Sequence, residues 1–282
     1  MKGSRYSVSR LFQDPALRDL LKPSPASHSL IDEQRVRNLY LQAATQQWFG
    51  PEKINFNEII TLDERTRLAW LHLTTVFYTL EKMGLNVIEN MMAKAVRKLR
   101  SDEAAFYLSA QCFDEARHVF LLATYLRKLG GSPHYEKLYG VLGKAASIGA
   151  YRVENWLFST LFSENFASAF LKHAQTAQID PIGAELCKNL LLDETRHLHF
   201  LHAVLPDLLD RLSVLGKSYV RATQFFIMKF TEVAARSLDK DAGVVGLNRH
   251  SLLEEVFSNV ERSYRNFGLN TRFLYFPAIA KI

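Results

Sequence analysis

Apolar side chains recur at helical spacing along most of the chain, and no run alternates apolar and polar residues for long enough to form a sheet. The period predicts one helix near 31–47 in a looser N-terminal region and four long helices at about 62–99, 102–129, 145–177 and 182–204. Two more helices are predicted at about 207–238 and 248–266, and residues 267–282 read as an irregular tail. The pattern therefore predicts an all-α fold.

Helix ends are marked by residues with clear local chemistry. Thr61–Glu64 (TLDE) matches a capping box, in which a hydroxyl and a carboxylate each satisfy a free backbone amide at a helix start. Gly130–Gly131 is typical of a helix C-terminus, since glycine adopts the left-handed backbone without strain. Asp180–Pro181 predicts the start of the helix that follows. The four long helices therefore form two consecutive hairpins.

The composition suits one large helical domain. Of the 282 residues, 48% are hydrophobic and 12% aromatic, enough for a sizeable core. We expect a single domain over 1–282, with an N-terminal extension at 1–60, a four-helix bundle at 61–205, and additional helices with a C-terminal tail at 206–282.

Charge and cysteine content favour a cytoplasmic protein without nucleic-acid or membrane partners. The net charge of +6 is spread along the chain, and no nucleic-acid-binding motif accompanies it. No apolar stretch reaches the length of a membrane span, and the N-terminus lacks the apolar segment of a secretory signal. The two cysteines, Cys112 and Cys187, are too few for a disulfide framework.

The same phrase occurs in two of the predicted helices, as DEARH at 114–118 and DETRH at 193–197. In each copy a glutamate and a histidine are three residues apart, so Glu115 and His118, like Glu194 and His197, share one helix face. Apolar residues flank both pairs, and buried carboxylates must be neutralised or coordinated. Two such phrases in matching helices predict a metal site built from both.

Two further carboxylates are expected from the other two bundle helices, as in dinuclear carboxylate proteins. The first helix offers Glu81 or Glu89, and Glu81 is favoured because it follows the apolar stretch VFYTL. The third helix offers Glu154 or Glu164, and Glu164 is favoured because it lies level with Glu194 across an antiparallel turn. Oxygen ligands with two imidazoles and no thiolate favour iron or manganese over structural zinc.

These residues resemble the ferritin-like dinuclear carboxylate superfamily, which includes ribonucleotide reductase small subunits, R2-like ligand-binding oxidases and bacterial multicomponent monooxygenase hydroxylases. The resemblance covers about residues 40–205 and includes the stretch WFGPEKINF at 48–56. It implies a ferritin-like four-helix bundle core with additional helices, holding two iron ions or one manganese and one iron.

The resemblance also implies roles for residues around the metals. Asp114 and Asp193 match aspartates that accept a hydrogen bond from a ligand histidine. Trp48 resembles a tryptophan linked through such an aspartate to the metal, as an electron path. Ser168 stands where the hydroxylases place a threonine hydroxyl beside the metals, as a proton relay. A serine bonded to its own helix is the alternative for Ser168.

Departures from each subfamily narrow the expected reaction. A radical-forming reductase subunit would carry tyrosine at position 122, where this chain has leucine, and Tyr125 is one further turn away. Arylamine N-oxygenases would carry a third histidine at position 190, where this chain also has leucine. We expect a dioxygen-activating oxidase or monooxygenase acting on a small or lipid-like organic substrate by hydroxylation, N-oxygenation or desaturation.

The expected partners are dioxygen, the organic substrate and an electron-donor protein such as a ferredoxin or reductase, and a homodimer is left open. Two alternatives have different requirements. A ribonucleotide-reductase-like radical-generating subunit would need a larger catalytic partner. A ferroxidase or iron-handling protein would need acidic entry residues and shell assembly, which the basic composition disfavours.

Overall fold

The computed structural model describes residues 29–58, 60–134 and 153–269, apart from the side chains of residues 51, 90, 91, 93–95, 153 and 154. The regular structure of these residues is helical. The helices are α1 (Glu33–Thr45), α2 (Gly50–Lys53), α3 (Glu64–Leu99), α4 (Asp102–Lys128), α5 (Val153–Ala177), α6 (Pro181–Arg211), α7 (Val214–Arg236), α8 (Asp239–Val244) and α9 (Arg249–Asn266), with one 3-10 turn at Phe56–Glu58. The predicted all-α class is confirmed.

Some predicted helix boundaries lie outside the described residues. The predicted start of the third long helix at about 145 falls in 135–152, and most of the predicted tail falls in 270–282. The division of the chain into an extension, a bundle and additional helices stays a prediction.

The start of α3 differs from the predicted capping box. Asp63, and not Thr61, caps the helix, because its carboxylate accepts a hydrogen bond from the Thr66 amide at 3.1 Å. The predicted end of α4 at Gly130–Gly131 is confirmed. Gly130 has a φ of +82°, and the Gly131 amide bonds to the Leu126 carbonyl at 2.9 Å, which ends α4 with a left-handed turn.

Helix α6 is longer than predicted. The predicted break before Pro206 is wrong, since the helix continues through this proline to Arg211. An interior proline costs about 3 kcal/mol because it removes one backbone hydrogen bond. Leu205, Leu208 and Leu209 are buried on either side of it, and their packing offsets that cost. The next helix therefore begins at Val214, capped by Ser213, and not at about 207.

The four long helices form two packed pairs. Helix α3 packs chiefly on α4 and α5 chiefly on α6, while α4 meets α6 and α3 meets α5 between the pairs. Helix α1 lies across α4 and α6, α9 packs on α5, and α8 packs on α3. Within the described ranges, no helix combines the length and the apolar character needed to cross a lipid bilayer.

Candidate metal centre

Six predicted side chains converge in the interior of the bundle. Glu81 comes from α3 and Glu164 from α5, while α4 and α6 each supply the glutamate and histidine of the repeated phrase. All six are buried, and both imidazoles are fully shielded from solvent. Each carboxylate is therefore far from water, although nothing in an apolar core would by itself stabilise its charge.

The six side chains form two overlapping sets of metal-ligating atoms. One set is Glu81, His118 and Glu194, and the other is Glu115, Glu164, Glu194 and His197; within each set the ligating atoms lie within 4.8 Å of one another. Nδ1 of His118 is 3.0 Å from Glu81 and 3.2 Å from Oε1 of Glu194. Nδ1 of His197 is 3.2 Å from Oε2 of Glu194 and 3.3 Å from Glu164. Glu194 therefore faces both sets, one oxygen to each.

Of the two alternative glutamates, the structure describes only the side chain of Glu89. Glu89 is exposed, and the side chain of Glu154 lies outside the described residues. His202 contacts Ser263 at 3.0 Å, away from the cluster. Neither cysteine belongs to a candidate metal-binding group among the described residues.

The two aspartates of the repeated phrases are paired crosswise with the histidines. Asp193, from the second phrase, lies 3.1 Å from Nε2 of His118, from the first. Asp114, from the first phrase, lies 3.4 Å from Nε2 of His197, from the second. Each carboxylate can accept the Nε2 proton, which leaves Nδ1 free to ligate a metal. Each half of the repeat therefore orients the imidazole of the other half.

The two arginines of the phrases bind the same aspartates, a role that sequence reasoning missed. Arg117 donates to Asp114 at 2.6 Å and to Asp193 at 2.8 Å. Arg196 donates to Asp114 at 3.2 Å and also bonds to Asp193. The signal was present in the sequence, because both phrases carry arginine just before the histidine. Two aspartates and two arginines make this cluster neutral on its own.

Trp48 joins the cluster from the segment between α1 and α2. Its indole Nε1 donates to Asp193 at 3.0 Å, so Trp48, Asp193 and His118 form one hydrogen-bonded chain. The guanidinium of Arg117 lies 4.6 Å from the centre of the Trp48 ring, and it also donates to the Gln47 side chain at 2.6 Å.

Gln111 and Gly84 contact the carboxylates, and Ser168 follows Glu164 by one helical turn. Gln111 donates to Oε1 of Glu164 at 3.1 Å. The Ser168 hydroxyl, one turn after Glu164, is buried and has no hydrogen-bond partner among the described residues, so it is not bonded to its own helix. Gly84 faces Glu115, since a Cβ at this position would lie 3.4 Å from Oε2. Sequence reasoning missed Gln111 and Gly84, because neither belongs to a repeated pattern.

Burial and mutual repulsion perturb the ionisation of the ligand set. Burial, together with the neighbouring carboxylates, raises the pKa of Glu115 and that of Glu164 well above their usual value. Burial opposes the ionised form of Glu194 as well, but hydrogen bonds with Glu164 and both histidines lower its pKa. For His118, burial disfavours the imidazolium, yet hydrogen bonds with Asp193 and the glutamates outweigh it and raise the pKa. The buried carboxylates therefore favour the binding of cations, whether protons or metal ions.

A charge count tests whether metals fit this site. The four glutamates carry four negative charges when ionised, and two neutral imidazoles add none. The neighbouring aspartate–arginine cluster is already neutral and cannot compensate them. Two divalent cations would balance the set, and carboxylate-rich ligation with two imidazoles suits iron or manganese. The buried Glu/His cluster is thus able to hold two metal ions.

Solved structures share this architecture, and at least one of them holds a Mn/Fe cofactor. A protein from Synechococcus with aldehyde deformylating oxidase activity matches with a TM-score of 0.64 at 19% identity, covering 75% of this chain and 97% of that one. The R2-like ligand-binding oxidase with a Mn/Fe cofactor matches with a TM-score of 0.60 at 15% identity, covering 82% and 91%. Fold and site together define a ferritin-like dinuclear metal protein, as the sequence predicted.

A family model identifies the group more closely. The chain belongs to the p-aminobenzoate N-oxygenase AurF family, whose model matches residues 62–262, more than half of the chain. It is accordingly a non-haem dinuclear metal oxidoreductase that uses dioxygen. Comparison with curated protein sequences gives no match.

Proposed function

We propose that Glu81, Glu115, His118, Glu164, Glu194 and His197 hold two iron ions, or one manganese and one iron. The observation that carries this proposal is the convergence of four buried glutamates on two inward-facing Nδ1 atoms, with the ligating atoms of each set within 4.8 Å of one another. When bound, the two ions supply the redox chemistry that reduces dioxygen and passes oxygen to a substrate. The side chain of Leu190, fully buried in place of a third histidine, adds no ligand.

Residues next to the proposed ligands orient them and provide a route for protons. Asp114 and Asp193 accept the Nε2 protons of the histidines and so fix both Nδ1 lone pairs toward the centre. Gln111 donates to one oxygen of Glu164 and limits the carboxylate's rotation. The unpartnered Ser168 hydroxyl is free to accept and donate a proton, and we assign it the relay of protons to the reacting oxygen.

Electrons enter along the chain of hydrogen bonds from Trp48 through Asp193 to His118. Monooxygenation consumes two electrons beyond those of the substrate, so a ferredoxin or reductase must supply them. The cation of Arg117 over the Trp48 ring makes loss of an electron from that ring less favourable. Trp48 therefore acts as a conduit for electrons and does not store a radical.

We propose N-oxygenation of a primary aromatic amine as the reaction. The family membership supports this choice, and the buried, carboxylate-rich site is compatible with it. Leu190 departs from the arylamine N-oxygenase pattern, so this chain would carry out the reaction without the third histidine ligand. A radical-generating role is less well supported, because Leu122 occupies the position of the radical tyrosine.

The ligand set is tested first by metal content. Glu115→Ala and His197→Ala should each lose most of the iron or manganese found by elemental analysis of the purified protein. Glu89→Ala and His199→Ala are the controls, since both residues are exposed on the same helices as proposed ligands. Unchanged metal in both ligand variants would reject the ligand set.

The reaction is tested with 4-aminobenzoate, a chemical reductant and labelled dioxygen. The expected result is a product bearing labelled oxygen on nitrogen, detected by mass spectrometry, and no product from His197→Ala. Oxidation of added ferrous iron without any substrate product, and with growing ferric mineral, would support an iron-handling protein instead. A persistent organic radical without product would support the radical-generating alternative.

A further inference from the structure

The exposed side of helix α7 is apolar along its whole length. Leu215 is 82% exposed, Phe226 69% and Val233 63%. With about 100° of turn per residue, these three side chains and Ala222 lie within roughly 40° of one line along the helix. The apolar residues exposed on α7 are Val214, Leu215, Tyr219, Ala222, Phe225, Phe226, Phe230 and Val233. We call these eight residues the α7 face.

Helix α9 supplies a comparison within the same molecule. Both α7 and α9 pack on α5. The residues exposed on α9 are all polar, as is usual for a helix that faces water. They are His250, Ser251, Glu254, Ser258, Arg262, Arg265 and Asn266. Packing on α5 therefore does not require an apolar outer side, and the α7 face needs another explanation.

The α7 face is larger than the apolar patches that soluble proteins usually expose. Val214 is as exposed as Leu215, and the exposed fractions of the four aromatic side chains range from 40% to 69%. The eight side chains together present roughly 700 Å² of apolar surface, whereas the largest patch on a typical monomer is about 300–600 Å². A patch of this size marks a surface that binds another protein or a membrane.

Basic side chains accompany the α7 face. Helix α7 carries Lys217, Arg221, Lys229 and Arg236, and its one acidic residue is Glu232, so its net charge is +3. The acid lies near the end of the helix, where Lys229 and Arg236 both bond to it. From residue 211 to residue 231 the chain has no acidic residue at all. A partner that matches this helix must therefore be both apolar and negatively charged.

We propose that the α7 face binds the surface of a lipid bilayer that contains anionic lipids. A helix with aromatic and aliphatic side chains on one face and basic residues beside them lies in the plane of such a surface. The long lysine and arginine side chains reach the lipid phosphates while their stems stay in apolar surroundings. The expectation of no membrane partner rested on the lack of a spanning segment, and contact with the surface alone needs none.

A second copy of the chain fits the α7 face less well. Two α7 helices packed on each other would bring two charges of +3 together where water no longer screens them.

An acidic protein also fits less well, because protein interfaces carry about one hydrogen bond per 100–200 Å². The exposed residues of α7 include only two polar ones, Ser218 and Arg236. Lipid chains require no hydrogen-bonding partners, so the α7 face suits a bilayer better than it suits a protein.

The position of α7 relates the proposed membrane contact to the metal centre. Helix α7 packs on α5, which supplies Glu164. Near its other end, Ala234 packs with Val76 of α3, five residues before Glu81. A bilayer bound to the α7 face therefore lies on the side of the bundle formed by α3 and α5. The proposed contact does not depend on the metal or on the substrate.

The test is flotation of the full chain with lipid vesicles through a density gradient. The wild type should bind vesicles of phosphatidylcholine with about one-third phosphatidylserine roughly 10- to 100-fold more tightly than vesicles of phosphatidylcholine alone. Phe226→Glu should weaken binding to the anionic vesicles by roughly 10- to 100-fold, since it removes apolar contact and adds a like charge. Ser258→Glu, the matched change on α9, should leave binding unchanged. Leu215→Glu is a second variant, in case Phe226→Glu folds poorly.

A fluorescent label tests whether the α7 face itself enters the lipid. Leu215→Cys and Ser258→Cys, each in a Cys112→Ser background, are labelled with an environment-sensitive dye, and Cys187 is buried and stays unlabelled. Anionic vesicles should shift the emission of the label at position 215 to shorter wavelength. The emission of the label at position 258 should not change.

Three results would overturn the proposal. The first is a wild type that binds neither kind of vesicle, as expected if a protein covers the α7 face; a mass that falls in Phe226→Glu by light scattering would then identify a second copy. The second is vesicle binding that persists in both Phe226→Glu and Leu215→Glu, which would place the contact on another surface. The third is equal binding to neutral and anionic vesicles, which would remove the role of the basic residues.

Discussion

Replacing Asp193 with asparagine tests the crossed network directly, because the substitution keeps the shape of the side chain and removes its charge. Asp193 is fully buried and accepts hydrogen bonds from Trp48, Arg117 and Arg196, and it lies 3.1 Å from Nε2 of His118. Without its charge, two buried guanidinium groups share the single carboxylate of Asp114. Breaking a buried ion pair by removing one partner costs about 3–5 kcal/mol.

Urea denaturation of chelator-treated protein measures this cost apart from metal binding. Asp193→Asn should lower the free energy of unfolding by about 3–5 kcal/mol. Asp210→Asn is the control, because Asp210 is exposed on the same helix, and surface changes of this kind usually fall within about 0.5 kcal/mol. Metal affinity of Asp193→Asn should fall by roughly 10- to 100-fold, since His118 loses the partner that orients it.

A double variant separates lost charge balance from lost packing. Arg196→Met in the Asp193→Asn background removes the surplus positive charge, so its cost there should be smaller than in the wild type by at least about 1 kcal/mol. Additive effects, or equal effects of Asp193→Asn and Asp210→Asn, would refute the charge-balance reasoning.

Further predictions concern the surrounding residues. In chelator-treated protein, the raised pKa values of Glu115 and Glu164 mean that the folded state holds protons that the unfolded state releases. The melting temperature should therefore fall as pH rises from 5 to 8. Metal affinity should rise over the same range, because metal ions compete with these protons. Gly84→Ala should keep its metal and gain up to about 1 kcal/mol in helix stability, whereas Gly84→Leu should lose metal because its side chain reaches the carboxylate of Glu115. Ser168→Ala should slow turnover by roughly 100-fold and change the solvent isotope effect, and Ser168→Thr should restore both. Tyr125→Phe should cost about 1–3 kcal/mol with unchanged metal content, because the buried indole N–H of Trp70 loses its acceptor. Asp180 also loses the Tyr125 hydroxyl but keeps its hydrogen bond from the Gly183 amide.

The helical fold was predictable because the spacing of apolar residues is a local property of the sequence. The errors lay where local signals compete. Asp63 and Thr61 are both good caps, and only the path of the chain selects Asp63. Pro206 is a strong helix-ending signal that buried leucines override, and that burial depends on packing with other helices.

In the candidate metal site, too, features within one helix were predictable and contacts between helices were not. The repeat of glutamate and histidine at three-residue spacing was readable because both members of a pair lie on one helix. The crosswise pairing of Asp114 with His197 was not readable, since it joins residues 83 positions apart.

The crosswise pairing bears on how such a chain could arise by duplication. A two-helix ancestor with a single copy of the phrase could not satisfy its own histidine, because the aspartate that does so comes from the other copy. Such an ancestor would have needed two identical molecules to build the centre. Once they were fused, a mutation in either phrase would have affected the histidine of its twin, so the two halves could diverge on their outer faces but not in their inner phrases.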